Sequence, residues 1–446
     1  ISDNGYSGVS ITGSHTSVSN SIISGNSNSG ININGSHTTI SNVLMVRNVQ
    51  YNINITGSYN TISNSVIDDG YWFGLNITGS NNADGGVLIK GSYTMITSSN
   101  INGNGNGVTI QGSHNRILNS NVSRDKVNGV SITGSNNVLF NDNIIPYNKP
   151  GIVSPQGEGL VITGSYNNLS KLNVLGSNGG NTLYITGDHN LISNLTVYNW
   201  ADQWSVMIMG NHTTISNLNI PNSEKWGDGV YIGGSYTAIS NAFINNSGDY
   251  GLYVSGNHTI LSSLKIYNYF TAGIGINGFD NLISNSVMYK SSEYGIGISI
   301  KGSNNEITND AVLNNGYGIK VNGSNTTISN STVYKGDNFG ITITGSNNLI
   351  SNDNLSNNGY SLDITGSYNT IVNDTMSNNG DGISIAGSHS KILNSVISGS
   401  GNNGISITGS DSVINVCIIS GNGNDGFSVS GNFNVISNST IVSNGY

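Results

Sequence analysis

Gly382-Ile383-Ser384-Ile385-Ala386-Gly387-Ser388-His389-Ser390-Lys391-Ile392-Leu393-Asn394-Ser395-Val396-Ile397-Ser398 holds one complete unit of a pattern that fills this chain. Aliphatic residues stand four and two positions before Gly387, and again five and ten positions after it. Alternation with period two marks a strand with one buried face. The apolar segments are too short, and too regularly broken by Gly and Asn, to be helices. One unit therefore predicts three short strands separated by turns.

The marker glycine, followed by Ser or Asn and then by His, Tyr or Asn, recurs from Gly13, Gly35 and Gly57 through Gly345, Gly366, Gly387 and Gly409 to Gly431. The mean spacing is about 22 residues, a period that signals a solenoid. Equivalent side chains one repeat apart would lie ~4.8 Å apart, the spacing of neighbouring strands. Parallel crossovers of this kind are right-handed in about 98% of cases. The predicted fold class is all-β: a right-handed single-stranded parallel β-helix of about 20 rungs, as one domain over residues 1–446. A rung buries about four aliphatic side chains at ~1.5–3 kcal/mol each. It orders some twenty residues at ~1–2 kcal/mol each, so it depends on its neighbours.

Polar residues also recur in register. Three positions after the marker stands Asn or Thr (Asn60, Asn115, Asn348, Thr38, Thr213, Thr326). Seven after it stands Asn (Asn20, Asn42, Asn119, Asn194, Asn330). Both columns are expected to be internal ladders bonded from rung to rung. Five before the marker stands Gly (Gly8, Gly30, Gly129, Gly340, Gly404), expected to supply a positive φ. Two intervals break the period. Residues 79–91 span 12 and suggest a hairpin or inserted loop. The 30-residue interval from Gly134 to Gly164 places an insertion near 143–158, with Pro146, Pro150 and Pro155, as a projecting loop.

Charged residues make up 8% of the chain, against roughly 25% in ordinary globular proteins, and the formal net charge is −9. No basic block is present, which excludes nucleic acid as a partner. No apolar run approaches the ~18 residues of a membrane helix. Cys417 is the single cysteine, so neither an internal disulfide nor a Cys-based metal site is expected. The composition suits an extracellular or cell-surface location.

The units Asn347-Asn348-Leu349-Ile350-Ser351-Asn352 and Gly382-Ile383-Ser384-Ile385 resemble the pectin-lyase-like right-handed parallel β-helix superfamily. Its Asn-rich repeat branch includes periplasmic copper-associated β-helix proteins and microbial surface proteins. The resemblance spans nearly the whole chain and implies the fold, not an activity. Polygalacturonase-like members carry three Asp, a Gly-His-Gly and an Arg-x-Lys. Here the pair Asp68-Asp69 stands alone, and Arg116 is followed by Ile117 and Leu118. Arg124-Asp125-Lys126 is the densest charge cluster and reads as a solvated turn.

All seven histidines, among them His15, His37, His189, His212 and His389, fall two positions after the marker, where Tyr and Asn stand in other rungs. That exchange points to a turn, not to catalysis or a metal. No catalytic residue, metal or cofactor is expected. Aromatics precede the Gly column at Trp72, Trp200, Trp204, Trp226, Tyr250, Tyr269, Phe270, Tyr294 and Phe339, among others. They are expected to form a stripe that contacts glycans or neighbouring molecules. Sequons at Asn54, Asn76, Asn121, Asn245 and Asn354 fall on outward or loop positions and are the N-glycosylation candidates, whereas Asn194 and Asn330 belong to the expected internal ladder. Ile1-Ser2-Asp3-Asn4-Gly5-Tyr6 matches Ile441-Val442-Ser443-Asn444-Gly445-Tyr446 in phase. Uncapped edges at Ile1, Tyr6, Ile441 and Tyr446 therefore predict head-to-tail stacking into a homopolymer. The leading expectation is an extracellular structural protein forming a fibre, sheath or surface layer, with N-linked glycans. The alternatives are a polysaccharide lyase or glycoside hydrolase, and an adhesin or an ice- or glycan-binding solenoid.

Overall fold

The computed structural model describes residues 1–57, 60–68, 73–78, 87–89, 92–102, 107–123, 128–145, 158–176, 180–198, 203–222 and 227–445. Side chains are described for all of these except 67–68, 73–78, 87–89 and 102. The chain divides into two compact units, Ile1–Gly227 and Asp228–Tyr446. Each is a parallel β-solenoid with three columns of short strands.

In unit 1 the strands Val9–Thr12, Ile31–Asn34 and Tyr51–Thr56 pair in register, with Val9 opposite Ile31 and Ile31 opposite Ile53. In unit 2 one register runs Leu252, Ile274, Ile298, Ile319, Ile341, Leu362, Ile383, Ile405. The aliphatic positions found in the sequence point inward, and Ile385, Ile392 and Ile397 are at most 2% exposed. There are slightly fewer turns than the about 20 expected. Part of the reason lies at 79–91. The strands Phe73–Thr78 and Val87–Ile89 pair in parallel, so they are not the two arms of a hairpin. The second and third columns step directly from Thr61–Ser63 to Met95–Thr97 and from Val66–Asp68 to Asn100–Asn102, so this interval adds a strand to one column and closes no full turn. The linking residues 79–86, and 146–157 of the Pro-containing insertion, lie outside the described residues.

Corners are made by single residues in the left-handed region, at two, seven and, in most described rungs, twelve positions after the marker. In the rung of Gly35 these are His37 (φ 56), Asn42 (φ 54) and Arg47 (φ 54). Asn and His tolerate this region better than most residues, since their side chains bond locally. The column seven after the marker is therefore an outer turn, and Asn42, Asn119, Asn194 and Asn330 are exposed. It does form a ladder (Asn141 Nδ2 to Asn119 Oδ1, 2.8 Å; Asn217 Nδ2 to Asn194 Oδ1, 3.1 Å), but on the surface. The expectation that it is internal fails, and so does the exclusion of Asn194 and Asn330 as surface residues.

The internal ladders stand one residue after each corner. At the first, Asn115 N–H donates to Asn137 Oδ1 (2.8 Å) and Asn137 N–H to Asn167 Oδ1 (2.8 Å). At the third, a column the sequence reading missed, Asn358 N–H donates to Asn379 Oδ1 (2.9 Å) and Asn422 N–H to Asn444 Oδ1 (3.1 Å). Where Thr replaces Asn in the first ladder, at Thr38, Thr94, Thr213, Thr237, Thr259 and Thr326, the buried hydroxyl has no partner.

The glycine column five before the marker serves closeness, not positive φ. Gly8, Gly30, Gly129, Gly340 and Gly404 are not among the positive-φ glycines. A Cβ on Gly340 would lie 2.6 Å from the Ser361 carbonyl oxygen and 3.0 Å from Asn358 Nδ2. Only a residue without a side chain lets the backbone approach the next rung so closely.

Candidate functional site

Among the described residues, the first strand column of unit 2 carries an aromatic cluster on its outer side. Six positions before the marker, a single register runs Tyr250, Ala272, Ile296, Tyr317, Phe339, Tyr360, Asp381. From Tyr250 to Tyr360 that is five strand spacings, about 24 Å of uncharged residues, interrupted by Ala272, which is buried (1% exposed). Tyr317 stacks on Phe339 (5.7 Å, 13°) and Phe339 on Tyr360 (4.8 Å, 20°). Three positions further along the chain, on the same outer face, Tyr231 stacks on Tyr253 (5.9 Å, 18°). Tyr250 meets Tyr253 edge to face (4.9 Å, 62°). The next residue in that column is Gly275, where a Cβ would fall 2.8 Å from Tyr253 Cδ2 and 2.9 Å from Tyr250 Cε1. The glycine therefore leaves room for the two rings.

Polar groups border the rings. Asp228 Oδ1 accepts the backbone N–H of Asp249 (2.8 Å) and of Tyr250 (2.8 Å). Burial pushes the Asp228 carboxyl up from its ordinary range, against the two hydrogen bonds that pull it down. Burial, with neighbouring Tyr253, Asp249 and Asp228, likewise raises the Tyr250 phenol. The hydroxyls of Tyr231 and Ser255 share a 2.8 Å hydrogen bond. Lys320 Nζ sits 5.9 Å from the Tyr317 ring centroid. Flat rings flanked by carboxylate and hydroxyl groups match the apolar faces and hydroxyl edges of a sugar chain.

Of the aromatics singled out in the sequence, Tyr250 and Phe339 belong to this face. Tyr269 does not: it is fully buried, its hydroxyl donates to Asn315 Oδ1 (2.6 Å), and burial holds its phenol far above the ordinary range. It lies one residue after the third corner at Asn268, so its side chain points inward. Phe270, the next residue, is 65% exposed. Trp204 is half-buried in unit 1, and Trp72, Trp200 and Trp226 lie outside the described residues. Tyr231, Tyr253, Tyr317 and Tyr360 were missed. Their signal was Tyr at fixed offsets from successive markers.

The sequons divide as well. Asn354 is exposed, Asn54, Asn121 and Asn245 are half-exposed, and the Asn76 side chain is outside the described set. Asn54 Nδ2 already donates to Asn32 Oδ1 (2.8 Å). Asn121 lies in a concave polar pocket of about 390 Å³ in unit 1, lined by Asn and Ser residues of the second corner and the third strand column. Arg124-Asp125-Lys126 and Asp69 are outside the described residues, and nothing is described of the Asp68 side chain. The histidines occupy left-handed corners and stack along the edge: His15 on His37 (4.7 Å, 6°), and Tyr166, His189 and His212 in succession (4.7 and 4.6 Å). Among the described residues no group of three or more His, Cys, Asp or Glu could hold a metal ion, and no helix is long and apolar enough to cross a membrane.

The family model for the right handed beta helix region matches residues 7–173, 85–201, 181–327, 228–367 and 317–446. The chain belongs to the right-handed β-helix family. No curated protein matches it. Solved structures that resemble it include a periplasmic alginate epimerase (14% identity, 68% of this chain and 76% of that one, TM-score 0.36). Another is the Dettilon tailspike protein (12%, 88% and 62%, TM-score 0.35). A third is a mannuronic-acid-specific polysaccharide family 6 lyase from human gut microbiota (12%, 72% and 78%, TM-score 0.39). At these identities the likeness is one of fold alone.

Proposed function

We propose that this β-helix is a non-enzymatic extracellular protein of a microbial surface that holds polysaccharide along the outer first-column face of unit 2. The observation that carries the reading is the stripe from Tyr250 to Tyr360, with Tyr231 and Tyr253 beside it over Gly275. Ring faces stack on sugars at low entropic cost, and the Asp228 carboxylate offers an acceptor to their hydroxyls. A glycan microarray probed with the full chain tests it. Retention of at least one polysaccharide class, reduced tenfold or more by Tyr253→Ala, is expected. No retention, retention unaffected by Tyr253→Ala and Phe339→Ala, or release of cleaved oligosaccharides would overturn it.

Stacking of copies into a fibre or layer is the second reading, favoured by a different observation. Val429, Ile436 and Ile441 are 40%, 42% and 43% exposed, while their counterparts one rung earlier, Ile407, Ile414 and Ile419, are at most 1% exposed. Any further parallel rung laid on them would cover them, and a second copy is one source of such a rung. Sedimentation of the chain beside an Ile436→Asp variant tests this: concentration-dependent assembly lost in the variant supports it, and a monomer at every concentration rejects it.

A further inference from the structure

We propose that the amide-lined pocket of unit 1 is a binding site for a neutral saccharide, separate from the aromatic face of unit 2. The pocket lies where an outward strand column changes character. Nine positions after the marker the chain places Ile22, Leu44 and Val66 in early rungs, then Asn100, Asn121, Asn143 and Asn173 in four successive ones. Asn is depleted in strands, and four in one register oppose the local preference. Such departures from local consistency are expected where function is built in.

A structural ladder would explain the four if each amide bonded the next. That holds for one step, Asn173 Nδ2 to Asn143 Oδ1 (2.9 Å). Asn100 and Asn121 make no side-chain hydrogen bond to any described residue, yet both border the pocket, one exposed and the other half-exposed. The opposite wall is the left-handed corner column, where Asn141 Nδ2 donates to Asn119 Oδ1 (2.8 Å). Asn100 and Asn121 therefore present unused amide donors and acceptors into a concavity of about 390 Å³, within the size range of small-molecule pockets.

The lining selects the ligand class. Among the described residues its lining holds no charged side chain to pair with a carboxylate, phosphate or ammonium group. The described lining likewise holds no aromatic ring and no aliphatic side chain for an apolar ligand to bury against. Each free amide can donate and accept at once, as adjacent hydroxyls of a sugar ring require. Successive amides repeat at the strand spacing of ~4.8 Å, which suits a ligand that repeats its hydroxyls along the solenoid. A neutral oligosaccharide meets all three conditions.

The test uses the full chain carrying Tyr253→Ala, so that weakening of the unit 2 face is scored separately. Titration calorimetry is run with cellohexaose, mannohexaose, chitohexaose and a mannuronate hexasaccharide. At least one neutral hexasaccharide is expected to bind, at least tenfold more weakly after Asn100→Ala and Asn121→Ala are added together, with the mannuronate not binding. Thr196→Ala, further along the same column and outside the pocket, controls for folding and should leave affinity unchanged. The proposal is overturned if no neutral hexasaccharide binds, if the double substitution leaves affinity unchanged, if Thr196→Ala weakens binding equally, or if the mannuronate binds as tightly.

Discussion

Asp353 is an unusual choice for the inside of this fold, and replacing it with Asn should stabilise unit 2 by an amount that grows with pH. It stands one residue after the second corner, in an interior column that is Ser331 one rung before and Asp374 one rung after. Its Oδ1 accepts the Ser331 N–H (2.6 Å), while its Oδ2 is buried without a partner. Burial, reinforced by the Asp374 carboxyl, raises its pKa from 3.8 to about 8. Because the folded carboxyl keeps its proton until about pH 8 and the unfolded one releases it near 3.9, the folded chain binds more protons across that window. Stability therefore falls as pH rises, by about 1.4 kcal/mol per unit from this group, and levels off above pH 8. The Asn side chain keeps the acceptor and removes the titration. Relative to the parent, Asp353→Asn should gain about 4 kcal/mol between pH 5 and pH 8 as an upper bound. Hydrogen exchange at the Ser331 amide measures this, with both proteins compared at the same pH so that intrinsic exchange cancels. The ratio of their protection factors should climb by up to tenfold per pH unit. A ratio constant from pH 5 to pH 8 would refute the buried-carboxyl reasoning.

Thr326→Asn should raise stability by about 1–2 kcal/mol in urea unfolding, since the added amide can accept and donate as Asn348 does where the Thr hydroxyl bonds nothing. Gly340→Ala should cost about 1–3 kcal/mol in the same measurement, because the new methyl meets the Ser361 carbonyl and Asn358. Tyr269→Phe should cost about 1–3 kcal/mol by leaving the buried Asn315 Oδ1 without its donor, and a neutral result would show that water reaches it.

The period of the glycine mark and the four aliphatic offsets carried the fold, because burial of one strand face leaves a strict trace in sequence. The same trace does not say which polar column lies inside. Asn at a left-handed corner and Asn one residue later look alike, although Asn194 faces solvent and Asn190 is buried. The difference lies in backbone φ, which composition does not encode. The −5 glycines show the reverse confusion, since Gly is selected equally by positive φ and by a close neighbour. Tyr269 and Tyr250 were grouped because both are aromatic and lie in neighbouring rungs. Their offsets from the marker, thirteen and minus six, send one inward and the other to the surface face. The candidate site was legible at Tyr250 and Phe339 only, because it is assembled from residues about 22 apart whose meaning appears only in register.

Hydroxyl-radical footprinting of the full chain, with and without a polysaccharide it retains, tests the central claim most directly. Loss of labelling at Tyr231, Tyr250, Tyr253, Tyr317 and Tyr360, with Tyr294 and Tyr368 unchanged, is the predicted outcome. Equal labelling of the first group in both states, with protection falling elsewhere, would contradict the account.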